Sequence, residues 1–365
     1  MIPQPRRPLF ERFSRVQERL AHLALADLPT PVRTMTAVAD RVGAGGLWLK
    51  DDGPSSARYG GNKVRKLEFL LGDALSRRAR AVMTFGYAGS NHATATAIHA
   101  ASVGVRSISM LLPQHNAAYL RSNLLVSAAV GADIHEFGSR AALVAGTVLA
   151  LARGLVRDGR LPYVIAPGGS SPLGTIGFVN AAFELDEQVS AGLLPRPAVI
   201  YAAGGSLGTV VGLGIGLAVL GWPTRIHAVR VVDEQFVNPR VAGVLWRKTI
   251  ALLRDADPSF PDIAAPADRI VFRSEFFGGL YALETSEGKE AAAIAAEDGL
   301  SLDLTYTSKT LACLLADARA GRLAAPALFW STCNSSDIGG LAAQATTGDL
   351  RPRLRRYFDT TMRSD

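Results

Sequence analysis

Short apolar runs alternate along this chain with longer stretches in which Ala and Leu recur at helical spacing. The runs predict strands at Leu47–Leu49, Ala81–Phe85, Ser107–Leu112, Asp133–Phe137, Tyr163–Ala166, Val199–Ala203, Ile226–Val232 and Ala327–Thr332. The stretches between them predict helices such as Lys63–Arg77, Ser90–Ser102, Arg140–Asp158, Gly174–Ala191, Ser286–Glu297 and Ser308–Ala318. Strands that alternate with helices imply an α/β fold with mostly parallel sheets. The strand runs are apolar almost throughout, as expected when helices cover both faces of a sheet. No repeat of fixed period is visible.

Two interruptions organise the pattern. Gly168-Gly169-Ser170-Ser171-Pro172 is the best break in the middle of the chain. The segment Asp255–Ala267 holds Pro258, Pro261 and Pro266 and reads as a surface connection. From Pro197 to Thr224 there is no charged residue, but Gly204-Gly205-Ser206-Leu207-Gly208 cuts the run. That stretch reads as a buried strand, a turn and a buried helix rather than a membrane span.

Composition narrows the function. A length of 365 residues with 48% hydrophobic positions suits two domains with a sizeable core. The net charge of +7 is spread thinly, and no basic run with interleaved aromatics suggests a nucleic-acid face. The densest basic stretch, Arg351 to Arg356, reads as a solvated helix end or tail. Two cysteines, Cys313 and Cys333, are too few for a disulfide framework, which fits a cytoplasmic protein with reduced thiols. Met1 to Leu25 lacks the continuous apolar run of a secretory signal. The six histidines form no H-x-x-x-H pair, so no metal site is expected.

The chemistry concentrates in four places. In Gly60-Gly61-Asn62-Lys63, two glycines permit a tight turn, Asn62 is a plausible helix N-cap, and Lys63 falls in the first helical turn. The positive helix end disfavours an ammonium there and would help Lys63 act as an amine. The same residues also suit a surface lysine at a helix start. Arg65 and Lys66 read as solvated or phosphate-contacting. The segment Gly89-Ser90-Asn91-His92 follows a strand and opens a helix, where free N–H groups attract a carboxylate. Simple capping by Ser90 is the plainer alternative, and His92 is either an acid–base group or a buried polar side chain. Gly204-Gly205-Ser206-Leu207-Gly208-Thr209 suits a phosphate cradle, or a Gly-rich turn kept only for close packing, without the lysine of a nucleotide-triphosphate loop or a proper dinucleotide GxGxxG. Late in the chain, the phenols of Tyr281 and Tyr306 could donate or relay protons, although isolated tyrosines more often sit at the edge of a core; Trp330-Ser331-Thr332-Cys333-Asn334 closes a strand.

Taken in order, these motifs resemble the fold-type II pyridoxal 5′-phosphate enzymes of the 1-aminocyclopropane-1-carboxylate deaminase and D-cysteine desulfhydrase family. The resemblance also takes in Leu28 to Pro31, Leu49 to Asp52, Pro167 to Gly177, Leu302 to Lys309 and Phe329 to Thr332. It implies a tryptophan synthase beta-like architecture of two domains, 1–65 with 180–365 binding the cofactor and 66–179 forming the smaller unit. It also implies a homodimer. By this resemblance Lys63 holds the cofactor as a Schiff base and moves protons at Cα. Asn91 meets the phenolic oxygen, and Gly205, Ser206, Leu207, Gly208 and Thr209 hold the phosphate. Thr332 faces the pyridine nitrogen. Ser90, Asn91 and His92 receive the substrate carboxylate, with Tyr281, Tyr306 and Thr307 on the substrate side. Ser90, Tyr281 and Tyr306 join Lys63 as expected catalytic groups.

The expected activity is a lyase reaction on a small amino acid: α,β-elimination to a 2-oxo acid and ammonia, with sulfide from D-cysteine. Thr307 stands where deaminases carry a glutamate, and His92 also fits the desulfhydrase pattern. Ser331-Thr332-Cys333-Asn334 replaces the usual HTGG, and Leu280-Tyr281-Ala282-Leu283-Glu284 replaces GYGIP. Four alternatives follow: ring-opening deamination, β- or γ-replacement in specialised biosynthesis, cofactor binding without catalysis, and a nicotinamide oxidoreductase, which the Gly205–Thr209 spacing disfavours.

Overall fold

The computed structural model describes residues 6–115 and 118–359. Helices α1 (Pro8–Arg12) and α2 (Ser14–Arg19) precede β1 (Val32–Thr34), α3 (Thr36–Val42) and β2 (Leu47–Asp51). Helix α4 (Asn62–Ser76) leads into β3 (Ala81–Tyr87), α5 (Asn91–Ser102), β4 (Arg106–Leu112), α6 (Ala118–Ala129), β5 (Asp133–Glu136), α7 (Arg140–Asp158) and β6 (Tyr163–Ile165). Then come α8 (Pro172–Ser190), β7 (Val199–Gly204), α9 (Gly208–Val219), β8 (Arg225–Arg230), α10 (Pro239–Ala256) and β9 (Ile270–Arg273). The chain ends through α11 (Ser286–Glu297), α12 (Thr307–Arg319), β10 (Ala327–Ser331), α13 (Gly339–Ala342) and α14 (Pro352–Arg355).

These elements build two sheets. One has the order β1-β2-β10-β7-β8-β9 and the other β5-β4-β3-β6. All pairs are parallel except β1 with β2. The strands expected from apolar runs are all present, with ends shifted by a residue or two. The additions, β1 and β9, are the edges of the larger sheet, where partial exposure removes the need for a continuous apolar run. In β10, Leu328 and Trp330 enter the core beneath α8 and α9, while Ala327 and Phe329 enter the core beneath α12. This is the alternation of a strand covered on both faces. Among the described residues no helix is long and apolar enough to cross a membrane.

Helix α8 returns the chain from the smaller sheet to the larger one and packs on both α4 and α9. A Cβ at Gly177 would lie 2.1 Å from the Arg65 carbonyl oxygen, so only glycine lets α8 approach α4 this closely. The expected crossing points at 65/66 and 179/180 fall inside α4 and α8.

Two expectations are corrected and one is refined. The basic stretch Arg351–Arg356 is a largely exposed helix end, as expected, but it is anchored: Arg351 pairs with Asp133, and Arg353 and Arg356 approach Glu136, both acids lying on β5. Leu354 and Tyr357 are buried there with Leu111, Leu124 and Ile134. Arg65 is fully buried rather than solvated, held by Asp52 and Glu184. Asn62 is not the cap of α4; Gly61 is, with φ +77°, and Asn62 is the first helical residue.

Candidate active site

Lys63 is positioned by a turn that only glycine permits. A Cβ at Gly60 would lie 1.9 Å from the Gly53 carbonyl oxygen, and one at Gly61 would lie 2.8 Å from that of Thr332. The turn is pinned from the far end of the chain: the Asn334 side-chain oxygen accepts from Gly60 N–H at 2.6 Å. The Thr332 carbonyl accepts from Asn62 N–H. Asn62 then bridges two helix heads, donating to Thr209 Oγ1 at 3.0 Å and accepting from Lys63 Nζ at 3.0 Å. Loss of water around Lys63 lowers its pKa to about 8, against the opposing charge of Asp303. An amine with that value is a better nucleophile at neutral pH than an ordinary lysine.

Facing it is the turn between β7 and α9. Leu207 adopts a left-handed conformation, φ +66°, directly before the first turn of α9. Among the described residues the N–H groups of Ser206, Leu207 and Thr209 have no backbone acceptor. Ser170 ties this turn to the Gly168–Ser170 segment: its hydroxyl donates to Ser206 Oγ and accepts from Gly208 N–H and Lys66 Nζ. Lys66 is fully buried and also donates to the Gly168 carbonyl at 3.1 Å, with no carboxylate partner among the described residues. Burial, reinforced by Lys63, holds its pKa well below the ordinary lysine value. Free amides at a helix N-terminus beside a buried lysine form a donor set suited to a phosphate monoester. Lys66 as a buried group was not legible in the sequence; Ser170 lay in a segment read as a chain break and taken in by the family resemblance, with no role assigned to it.

The loop from β3 to α5 closes the third side. Ser90 caps α5, accepting from Ala93 N–H at 3.2 Å, so the capping role holds. Asn91 turns its oxygen toward Asn123, 2.7 Å away, and Tyr59, which leaves its amide donor available. Gln114 accepts from Gly89 N–H at 2.8 Å and Asn123 donates to the Gly89 carbonyl at 3.0 Å. His92 is buried, and neither ring nitrogen has a protein partner among the described residues. Burial, then the charges of Lys63 and Lys66, push its pKa well below the ordinary histidine value, so it is a neutral imidazole.

Two tyrosines complete the cavity. The phenols of Tyr281 and Tyr306 share a hydrogen bond, and Tyr87 stacks on Tyr281 with ring centroids 4.4 Å apart. Burial raises both phenol pKa values well above 10, so both stay protonated. Asp303 fixes the loop before α12 by accepting from the N–H groups of Thr305, Tyr306 and Thr307. The Thr307 hydroxyl donates to Asp303 at 2.6 Å.

A cavity of about 550 Å³ unites Lys63, Ser90, Asn91 and His92 with Gly205, Ser206, Leu207 and Thr209. Tyr281, Tyr306 and Thr332 line it too. Gly208 and Thr307 do not: the Gly208 amide is taken by Ser170, and Thr307 is turned to Asp303. The volume falls in the usual range of small-molecule sites. No group of His, Cys, Asp and Glu suited to a metal occurs among the described residues.

The sequence profile of the family described as pyridoxal-phosphate dependent enzyme matches residues 23–330. A D-cysteine desulfhydrase of Yersinia enterocolitica is 32% identical over 314 residues, covering 82% of this chain and 90% of the relative. Nocardicin C-9′ epimerase of Nocardia uniformis is 30% identical, covering 93% of this chain and 99% of the relative. The crystal structure of an ACC deaminase homologue superposes with a TM-score of 0.76 at 28% identity, covering 94% of this chain and all of that one.

Proposed function

Because the chain belongs to the pyridoxal-phosphate-dependent enzymes, we propose that it is a lyase that removes the β substituent of an amino acid by α,β-elimination. D-cysteine is the simplest substrate, giving pyruvate, ammonia and sulfide. The observation that carries the reading is one cavity holding the Lys63 amine, an anion cradle and a protonated tyrosine pair.

The cofactor is pyridoxal 5′-phosphate, and when bound it supplies an aldehyde for a lysine amine and a ring that stabilises negative charge at Cα. Ser206, Leu207 and Thr209 would hold its phosphate, with Lys66 behind them. Asn91 would donate to its phenolic oxygen, and Thr332 would offer a neutral hydroxyl to its ring nitrogen. Lys63 holds the amine and takes the Cα proton. The N–H groups at the head of α5, with Ser90 and Asn91, orient the substrate carboxylate. Tyr281 and Tyr306 keep protons available for the departing sulfur. His92, neutral, adds no charge to compete with the carboxylate's partners.

Thr307 stands where a deaminase carries a glutamate and is turned to Asp303, which itself lines the cavity; that substitution favours elimination over ring-opening deamination. A second reading, inversion at Cα without loss of the β substituent, draws on the epimerase relative. The reading carries a cytoplasmic homodimer with it. Val148, Leu155 and Val156 on α7 are exposed, as an interface would require.

The test is a spectrum of the pure protein with added pyridoxal phosphate, followed by D- and L-amino acids with products identified by mass. Formation of 2-oxo acid and ammonia supports elimination; an inverted amino acid supports the second reading. Lys63→Ala should abolish both the cofactor's bound absorbance and turnover, and persistence of that absorbance in the variant would sink the assignment.

A further inference from the structure

The cavity does not end at the reactive groups. Besides Lys63 and the tyrosine pair it is lined by Phe85, Leu112, Leu143, Val232 and Phe236. Tyr87, stacked on Tyr281, carries the aromatic surface outward from the reactive phenols. Phe236, on the cavity lining, is 44% exposed, and the Arg140 guanidinium lies 5.7 Å from its ring centroid. A large apolar side chain left open to water next to a cavity marks a surface that gains by being covered.

We propose that the β substituent released by this enzyme is bulky and apolar, preferably aromatic: a thioether of cysteine rather than the free thiol. This rests on the elimination reading above. The free thiol of cysteine brings no apolar group to these walls, whereas an aryl or alkyl group on the sulfur does. Arg140, already over one aromatic face, suits a second ring beside it.

The chemistry balances without an oxidant. The Cα–H bond breaks and Lys63 takes the proton. The Cβ–S bond breaks with its electron pair leaving on sulfur, and the sulfur takes a proton from the tyrosine pair. Water hydrolyses the three-carbon remainder to pyruvate and ammonium. One thioether and one water thus give one thiol, one pyruvate and one ammonium.

The experiment compares S-benzyl-D-cysteine with D-cysteine on the protein loaded with pyridoxal phosphate. It measures kcat/KM from pyruvate release and, separately, equilibrium binding from the change in cofactor absorbance. The expected result is a preference for the benzyl thioether of at least about tenfold, the scale of one or two buried methylenes. Phe236→Ala and Leu143→Ala should each cut that preference at least fivefold, and Phe236→Tyr should keep it. D-cysteine preferred, a preference untouched by both alanine variants, or no binding of either compound overturns the proposal. Turnover with D-cysteine preferred leaves the elimination reading standing without it. Tighter binding of the thioether, with the same variant dependence but no pyruvate, leaves the substrate class standing and removes elimination.

Discussion

At the scale of single residues, the site is built around cations kept from water. Lys63 has a folded-state pKa of about 8, below the ordinary 10.5, with burial as the larger cause and Asp303 opposing it. The unfolded chain therefore binds more protons between those two values, so stability rises with pH across that window. The same shift sets reactivity. The rate at which Lys63 attaches to added pyridoxal phosphate should climb with pH to a midpoint near 8 and then level. Asp303→Asn removes the opposing charge and should move that midpoint to lower pH. A stopped-flow absorbance series over pH checks both, and a midpoint near the ordinary lysine value in the native chain would contradict the burial argument. Lys63 was legible because glycines, a helix start and a separate phosphate turn all point to it. Arg65 was not, because its partners Asp52 and Glu184 lie 13 and 119 residues away, and only the fold brings them together.

At the scale of elements, those same residues join three pieces of structure. Lys50 and Asp52 at the end of β2, Arg65 on α4 and Glu184 on α8 form a buried network. Lys50 Nζ donates to Glu184 at 2.6 Å, and Arg65 reaches both Glu184 oxygens. This holds the head of α4, and Lys63 with it, against the larger sheet. Burial alone would raise the Glu184 pKa, but the charges of Arg65 and Lys50 outweigh it and hold the carboxylate well below its ordinary 4.5. Its contribution is thus fully present above that value and is lost as pH falls below it. Glu184→Ala leaves Lys50 and Arg65 with Asp52 as their one remaining carboxylate in the network, an unbalanced buried charge that should cost about 3–5 kcal/mol. Glu184→Gln should in addition flatten the acid limb of the stability curve. Urea unfolding across pH measures both effects, and a cost under about 1 kcal/mol, the scale of an exposed pair, would mean the network is dispensable. The resemblance took in Leu49 to Asp52, the segment that supplies Lys50 and Asp52 to this network. The central strands were readable because both faces are apolar; edge strands β1 and β9 lack that signal. The amphipathic α10 buries Ala242, Leu245, Trp246, Thr249, Ile250, Leu253 and Ala256, a helical spacing present in the sequence.

At the scale of the molecule, the end of the chain is tied to the substrate loop. After β10 the chain crosses to the smaller sheet, where Leu350, Leu354 and Tyr357 are buried. The Tyr357 hydroxyl donates to Glu136 at 2.5 Å and accepts from Gln114 N–H at 3.4 Å. The Tyr357 carbonyl accepts from Arg121 at 2.7 Å. Gln114 in turn holds Gly89 N–H, so the C-terminal strap bears on the loop carrying Ser90 and Asn91. Sequence patterning could not show this, because a short basic stretch has the composition of a solvated end until its buried Leu and Tyr are seen to have partners. Tyr357→Phe keeps the ring in its apolar cluster and removes a donor to the buried Glu136 carboxylate, at a stability cost of about 1.5–3 kcal/mol. Losing the Gln114 contact should loosen the Gly89–Asn91 loop, which orients the substrate carboxylate rather than the cofactor phosphate. The variant should therefore retain pyridoxal phosphate and keep kcat within about twofold while KM for the amino acid rises several-fold, the pattern of lost substrate binding rather than lost chemistry. A fall in kcat at unchanged KM, or loss of the cofactor, would show that the strap acts elsewhere.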